Sequence, residues 1–343
     1  MKKQILAASL AGIMAAGLTG PAVSVCAEDT TYTVGICQLV QHEALDAATQ
    51  GFKDALTEAL GESVTFDEQN AQGDSNTCST IINSFVSNNV DLIMANATPA
   101  LQAAAAGTNE IPILGTSVTE YGVALEIDDF DGTVGGNISG TSDLAPLEQQ
   151  AAMLKELFPD AKNVGLLYCS AEANSQYQVD TVKAALEELG YTCEFYAFSD
   201  SNDLSSVATT AASSSDVLYV PTDNTVASNT EIINNICLPE QVPVITGEEG
   251  ICAGCGVATL SISYYDLGRA TGEMAVRILR DGEDISAMPI EYAPNFTQKY
   301  NADICAELGV EIPDEYVAIG AEDDASQEEA ESSDEEAEDG EEG

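Results

Sequence analysis

Val90-Asp91-Leu92-Ile93-Met94-Ala95-Asn96-Ala97-Thr98-Pro99 and Ser215-Asp216-Val217-Leu218-Tyr219-Val220-Pro221-Thr222-Asp223-Asn224 are two versions of one passage. In each, an acidic residue opens a run of apolar residues, and polar residues with a proline close it. That is the pattern of a buried strand running into a loop and a helix start. The surroundings repeat too. Thr33-Val34-Gly35-Ile36-Cys37 returns as Asn163-Val164-Gly165-Leu166-Leu167, and Ile111-Pro112-Ile113-Leu114-Gly115-Thr116 as Val242-Pro243-Val244-Ile245-Thr246-Gly247. The offsets are 130, 125 and 131 residues, so order and spacing are both kept. A period this long marks two copies of a whole lobe, not a solenoid of short repeats. Two such lobes enclose a cleft, the usual place for a small ligand.

Outward from these passages, strand and helix patterns alternate. Strands are predicted at 32–40, 63–68, 90–96 and 111–115, then at 163–169, 191–197, 216–221, 242–246 and 256–260. Helices are predicted at 43–60, 75–88, 99–107, 145–158, 174–189, 204–213, 225–236 and 264–280. Strict alternation predicts an α/β fold of two Rossmann-like lobes with parallel sheets. The segment 139–145 reads as a loop leaving the first lobe, and 261–265 as the return, which makes a hinge of several crossovers. The expected organisation is a signal peptide over 1–27, lobe 1 over 31–142 plus 262–287, lobe 2 over 143–261 plus 288–316, and an acidic tail over 321–343.

Lys2 and Lys3, the apolar stretch from Ile5 to Leu18 and the small residues around Ala27 form an export signal. Cleavage after Ala27 and lipid attachment at Cys26 both remain open, although Val25 directly before the cysteine fits lipidation poorly. The mature protein is expected in the periplasm or on the cell surface. The chain carries a formal charge of −48, of which −13 lies between Glu322 and Glu342. Such a charge repels nucleic acid and anionic lipid, so neither is expected as a partner. The tail, with dense like charge and no apolar period, is expected to stay unstructured. Nine cysteines are many for an exported chain. Cys252 and Cys255 form a close pair without a histidine or second pair nearby, so no metal site is assigned.

In parallel sheets the ligand loops follow the strands. Here these are 38–43, 96–99, 116–121, 139–143, 170–175, 221–225 and 247–250, and they contain no lysine or arginine. Phosphates and dicarboxylates are therefore disfavoured. The loops offer hydroxyls (Thr98, Thr116, Ser117, Thr119, Ser142, Thr222) and acids (Asp143, Asp223, Glu248, Glu249). Hydroxyls near helix starts suit a carboxylate and acids suit an ammonium, which together describe a zwitterion. Ordinary helix capping is the competing role for Thr98, Thr222 and Asn224. Tyr121, Tyr168, Tyr177, Tyr264 and Tyr265 stand in or beside these loops and are able to stack on an apolar side chain, with packing the competing role for Tyr264 and Tyr265. His42 is the one histidine, with no nucleophile motif beside it, and is expected to cap helix 43–60 or line the cleft mouth. No catalytic residue, metal or cofactor is assigned.

The stretches Gly35–Asp46 (Gly-Ile-Cys-Gln-Leu-Val-Gln-His-Glu-Ala-Leu-Asp), Gln69-Asn-Ala-Gln-Gly-Asp74 and Asp91–Ala100 resemble substrate-binding proteins of ABC transporters, in the group associated with tryptophan and tyrosine uptake. Gly140-Thr-Ser-Asp143, Glu172-Ala-Asn-Ser175, Tyr219–Thr225, Gly247-Glu-Glu-Gly250 and Tyr264-Tyr-Asp-Leu-Gly268 continue the resemblance, which covers about residues 32 to 316. It implies a type I periplasmic-binding fold, a monomer that closes on one amino acid and delivers it to a membrane permease. It also implies ligand contacts from Thr98, Thr116, Ser117, Asp143, Asn174, Thr222, Asp223, Glu248 and Tyr265. In this reading the acids cluster on the second lobe, which takes the ammonium, while the first takes the carboxylate. The alternatives are an exported ligand sensor, or an enzyme on the same scaffold with His42 or a cysteine as catalyst.

Overall fold

The computed structural model describes residues 31–320. The expected export signal over 1–27 and the expected unstructured tail over 321–343 lie outside the described residues. The first half runs β1 (Tyr32–Gln38), α1 (Glu43–Leu60), β2 (Val64–Asn70), α2 (Ser75–Asn88), β3 (Leu92–Asn96), α3 (Thr98–Gly107), β4 (Ile113–Val118), α4 (Tyr121–Ala124) and β5 (Ile138–Ser142). The second runs α5 (Leu147–Leu157), β6 (Asn163–Cys169), α6 (Ala173–Glu188), β7 (Thr192–Phe198), α7 (Ser201–Ser214), β8 (Val217–Val220), α8 (Asn224–Ala227), α9 (Thr230–Cys237), β9 (Val244–Thr246), α10 (Glu249–Cys255) and β10 (Ala258–Ser261). Then follow α11 (Tyr264–Leu279), β11 (Glu291–Tyr292), β12 (Thr297–Tyr300), α12 (Ala302–Leu308) and β13 (Val317–Ala318).

Two sheets result, ordered β11-β5-β4-β3-β1-β2 and β13-β12-β10-β9-β8-β6-β7. All their pairings are parallel except β10 with β12. Fully buried runs such as Leu92–Asn96 and Val217–Val220 are what a sheet covered on both faces requires. The chain passes from the first sheet to the second after β5, returns after β10 through α11, and passes again between β11 and β12. On the first sheet the crossings use β5 and β11, neighbours at one end; on the second they use β10 and β12 near one end and, through α5, β6 near the other.

Several elements differ from expectation. Residues 139–142, expected in a loop, belong to strand β5, because Ile138-Ser-Gly-Thr-Ser142 buries hydroxyls instead of hydrocarbon. Ser139 donates to the Met288 carbonyl at 3.0 Å, Thr141 Oγ1 meets Thr271 Oγ1 at 2.8 Å, and Ser142 donates to the Thr119 carbonyl at 2.8 Å. The helix expected over 225–236 breaks into α8 and α9. Ser228 and Asn229 turn their side chains onto the carbonyls of Asn224 and Thr225, in competition with the helical ladder. Glu291 and Tyr292 pair with β5 in the first sheet, so the final crossing falls after residue 292.

Helix α11 packs tightly along α1. A Cβ on Gly268 would overlap the carbonyl oxygen of Ala48, and one on Gly51 that of Tyr265. Met274, Ala275 and Val276 then bury against Val34, Ile36, Phe52 and Leu56, which joins the returning helix to the first lobe's core.

Candidate functional site

The strand ends of both sheets meet around one cavity. It is lined by His42, Ala44, Leu45, Ser117, Thr119, Asp143 and Tyr264 on one side, and by Asn174, Thr222, Asp223, Asn224, Ala227 and Glu248 on the other. About 280 Å³ of space lies between its wall atoms, and it is so narrow that it admits about one water-sized sphere. A larger molecule enters only if the lobes part.

Of the nine residues expected at the ligand, the fold brings six to this cavity: Ser117, Asp143, Asn174, Thr222, Asp223 and Glu248. Thr98, Thr116 and Tyr265 stand outside its lining. Thr98 is buried in the first turn of α3. The pairing of β4 with β5 shifts register between Gly115 and Val118, and a bulge of this kind re-aims side chains. Thr116 consequently faces Thr141 at 3.3 Å, while Ser117, in a left-handed conformation with φ of 53°, faces the cavity. Tyr265 projects to the outside, 38% exposed, with its hydroxyl on Asp54 at 3.0 Å. Its neighbour Tyr264, about 100° around the helix, lines the cavity and donates to Asp143 Oδ2 at 3.0 Å.

The acids divide by what already holds them. Asp223 is committed: Oδ2 accepts from the Cys169 N–H at 2.7 Å and Oδ1 from the Val226 N–H at 2.9 Å, which caps α8 and ties it to β6. Glu248 likewise accepts from Gly250 and Ile251 and caps α10. Glu172, buried behind them, takes five donors from Asn174, Asn224 and Thr225. Asp143 differs. Its Oδ1 is buried with no hydrogen-bond partner, as are Ser117 Oγ and Asn174 Oδ1. The orientation of the Asn174 amide is fixed by its Nδ2, which donates to the Thr222 carbonyl at 3.1 Å. Three unpartnered polar atoms facing one cavity need a ligand's groups, because leaving each one bare costs about 1–3 kcal/mol.

The electrostatics point to a cation. Burial raises the Asp143 carboxyl above the usual range, against the Thr119 and Tyr264 hydroxyls beside it. Burial and the nearby Glu172 charge raise Asp223. Burial pushes Glu248 up to about 7, against its two backbone donors. The His42 imidazole is pushed down by burial, which favours its neutral form, and Nε2 lies 3.2 Å from Asn224 Oδ1. The expected cap is not made by its side chain.

A carboxyl whose folded pKa exceeds its unfolded one contributes stability that is whole below the unfolded value and lost as pH rises through the folded value. For Glu248 that window runs from 4.5 to about 7. The ligand-free protein should therefore lose stability between pH 5 and pH 7.5, by up to about 3 kcal/mol from this group. Urea unfolding across the range checks this. A Glu248→Gln variant should flatten the slope, and an unchanged slope would remove Glu248 from the explanation.

Comparison with known proteins follows the same line. Residues 33–323 match the model of the family described as ABC transporter substrate binding protein. The chain belongs to that family. Among its relatives is a tyrosine-binding protein of Clostridioides difficile (strain R20291), 36% identical over 260 residues that cover 75% of each chain. A Streptococcus pneumonia ABC domain solved in complex with L-Trp is 32% identical, covers 83% of this chain and 96% of that one, and superposes with a TM-score of 0.79. A ligand-free, open substrate-binding protein with adhesive properties from Clostridium difficile is 38% identical over 84% of this chain and 99% of its own, with a TM-score of 0.65. An ABC sugar transporter subunit from Rhodobacter sphaeroides, 14% identical with a TM-score of 0.57, shares the fold alone. This ABC transporter substrate-binding protein thus has the type I periplasmic-binding architecture. Members of the family act outside the cytoplasm and hand a small ligand to a membrane permease. Among the described residues no helix is long and apolar enough to cross a membrane.

Proposed function

We propose that the protein captures a zwitterionic amino acid with an aromatic side chain, for delivery to its permease. The observation that carries this reading is the set of unpartnered atoms Ser117 Oγ, Asp143 Oδ1 and Asn174 Oδ1 in one cavity. An ammonium group supplies donors for Asp143 and Asn174, and the Ser117 hydroxyl donates to the carboxylate. Asp143 directly follows β5 of the first sheet and Asn174 lies in the first turn of α6 beside the second. An ammonium between them is bound fully only when the lobes are closed, so binding shifts the population to the closed form. The L-Trp and tyrosine named for the two relatives support the ligand class. The higher TM-score to the L-Trp complex than to the ligand-free open structure, despite lower identity to the former, agrees with lobes in a closed arrangement.

The protein acts as a monomeric binder and not as an enzyme. His42 is engaged by an amide and has no nucleophile as partner. A signal peptide over 1–27 and export to the periplasm or cell surface complete the reading.

The chain has no tryptophan, so a bound L-tryptophan supplies its own emission signal. Titration of L-tryptophan by emission, with a thermal-shift panel of the twenty amino acids, tests the proposal. L-tyrosine or L-tryptophan should raise the unfolding midpoint most. No shift with any amino acid would overturn it.

A further inference from the structure

The cleft holds two spaces. Besides the inner cavity, a groove of about 790 Å³, open to solvent, lies between the lobes. Leu39, Val40, Gln72 and Ser75 line it from the first lobe, and Asp200 and Ser228 are among its second-lobe walls. These residues follow β1, β2, β7 and β8, so on the first sheet the groove lies toward the end opposite β5 and β11. Asn224 lines both spaces. His42 faces the inner cavity, and its Nε2 meets Asn224 Oδ1 across the gap between the lobes at 3.2 Å.

Asn224 is held in place, and the His42 side chain is not spent on a cap. Asn224 donates its Nδ2 to Glu172 at 2.7 Å and its backbone N–H to the same carboxylate at 3.1 Å. His42 stands in extended backbone directly before α1, and its side chain makes no capping bond. The ring is therefore free to reach across. We propose that His42, paired with Asn224, is the wall that ends the binding cavity and so sets the length of ligand the site accepts. The lobes part to admit a single amino acid, and the pair re-forms behind it. A longer zwitterion, such as a dipeptide, keeps its ammonium on Asp143 but drives its second residue into the wall. With the ring removed, cavity and groove become one continuous channel lined by residues of both lobes. The same contact resists parting of the lobes, so it slows ligand escape.

This inference rests on the amino-acid reading above. The test compares L-tyrosine with the dipeptide L-tyrosyl-L-alanine, by calorimetry and stopped-flow dissociation, in the wild-type protein, His42→Ala and His42→Gln. The wild type should bind L-tyrosine and reject the dipeptide. His42→Ala should narrow the ratio of the two dissociation constants at least tenfold and speed tyrosine release by a similar factor. His42→Gln, which keeps a donor for Asn224 Oδ1, should restore most of the discrimination. The role of His42 alone is overturned if the wild type binds L-tyrosine and the ratio is unchanged in His42→Ala. Absence of any amino-acid binding to the wild type overturns both readings.

Discussion

Asp143→Asn should lower amino-acid affinity by about 100-fold, or roughly 3 kcal/mol, while leaving the unliganded protein as stable as before or more so. The two effects have one cause. Asp143 is fully buried with one carboxylate oxygen lacking any donor, so in the absence of ligand its charge is a burden on the fold. An amide of the same shape removes that burden. It also removes the charge that an ammonium needs, and a buried cation without its anion is strongly disfavoured. Calorimetry for affinity and urea unfolding for stability separate the two outcomes. Asp223→Asn should behave in the opposite way. Its carboxylate already accepts two backbone N–H groups, so the variant should lose about 1–2 kcal/mol of stability and change affinity much less. If Asp223→Asn abolished binding and Asp143→Asn did not, the ammonium site would be misassigned.

Gly268→Val should destabilise the protein by about 4 kcal/mol or more, because no rearrangement of a flexible side chain can make room. The first added carbon meets the Ala48 carbonyl, which belongs to helix α1 itself. Relief requires α11 to move off α1, and α11 also carries Tyr264 to Asp143. Loss of stability should thus be accompanied by weaker binding in whatever protein remains folded. Urea unfolding of Gly268→Val beside Gly282→Ala supplies the contrast. Gly282 has a left-handed φ of 71° and nothing within reach of a Cβ, so its variant meets only a modest backbone strain. Equal losses in the two variants would contradict the close-packing explanation.

The doubled pattern was legible because buried parallel strands are written in unbroken apolar residues. Both copies, 92–96 and 217–220, lie at matching places in their sheets. β5 was not legible, since it is built from Ser, Gly and Thr whose burial depends on partners in Met288, Thr271 and Thr119, distant in sequence. The cavity itself was partly legible. Strand-end loops rich in hydroxyls and acids pointed to six of its residues, but residue type does not reveal whether a carboxylate is already engaged. For that reason the acids of the second lobe looked like the ammonium site, although Asp223 and Glu248 both cap helices. The acid with a free oxygen is Asp143, at the first sheet's crossover strand. Thr116 and Ser117 are both expected at the ligand and the β-bulge turns only Ser117 to the cavity, while in place of Tyr265 its neighbour Tyr264, a 100° step around the helix, lines it.

The most direct measurement is a crystal structure of the protein with L-tyrosine or L-tryptophan, whichever binds tighter. The ligand's amino nitrogen should lie within hydrogen-bond distance of Asp143 Oδ1 and Asn174 Oδ1, with its carboxylate at Ser117. An amino nitrogen on Asp223 or Glu248 instead, or a ligand bound outside this cavity, would contradict the assignment.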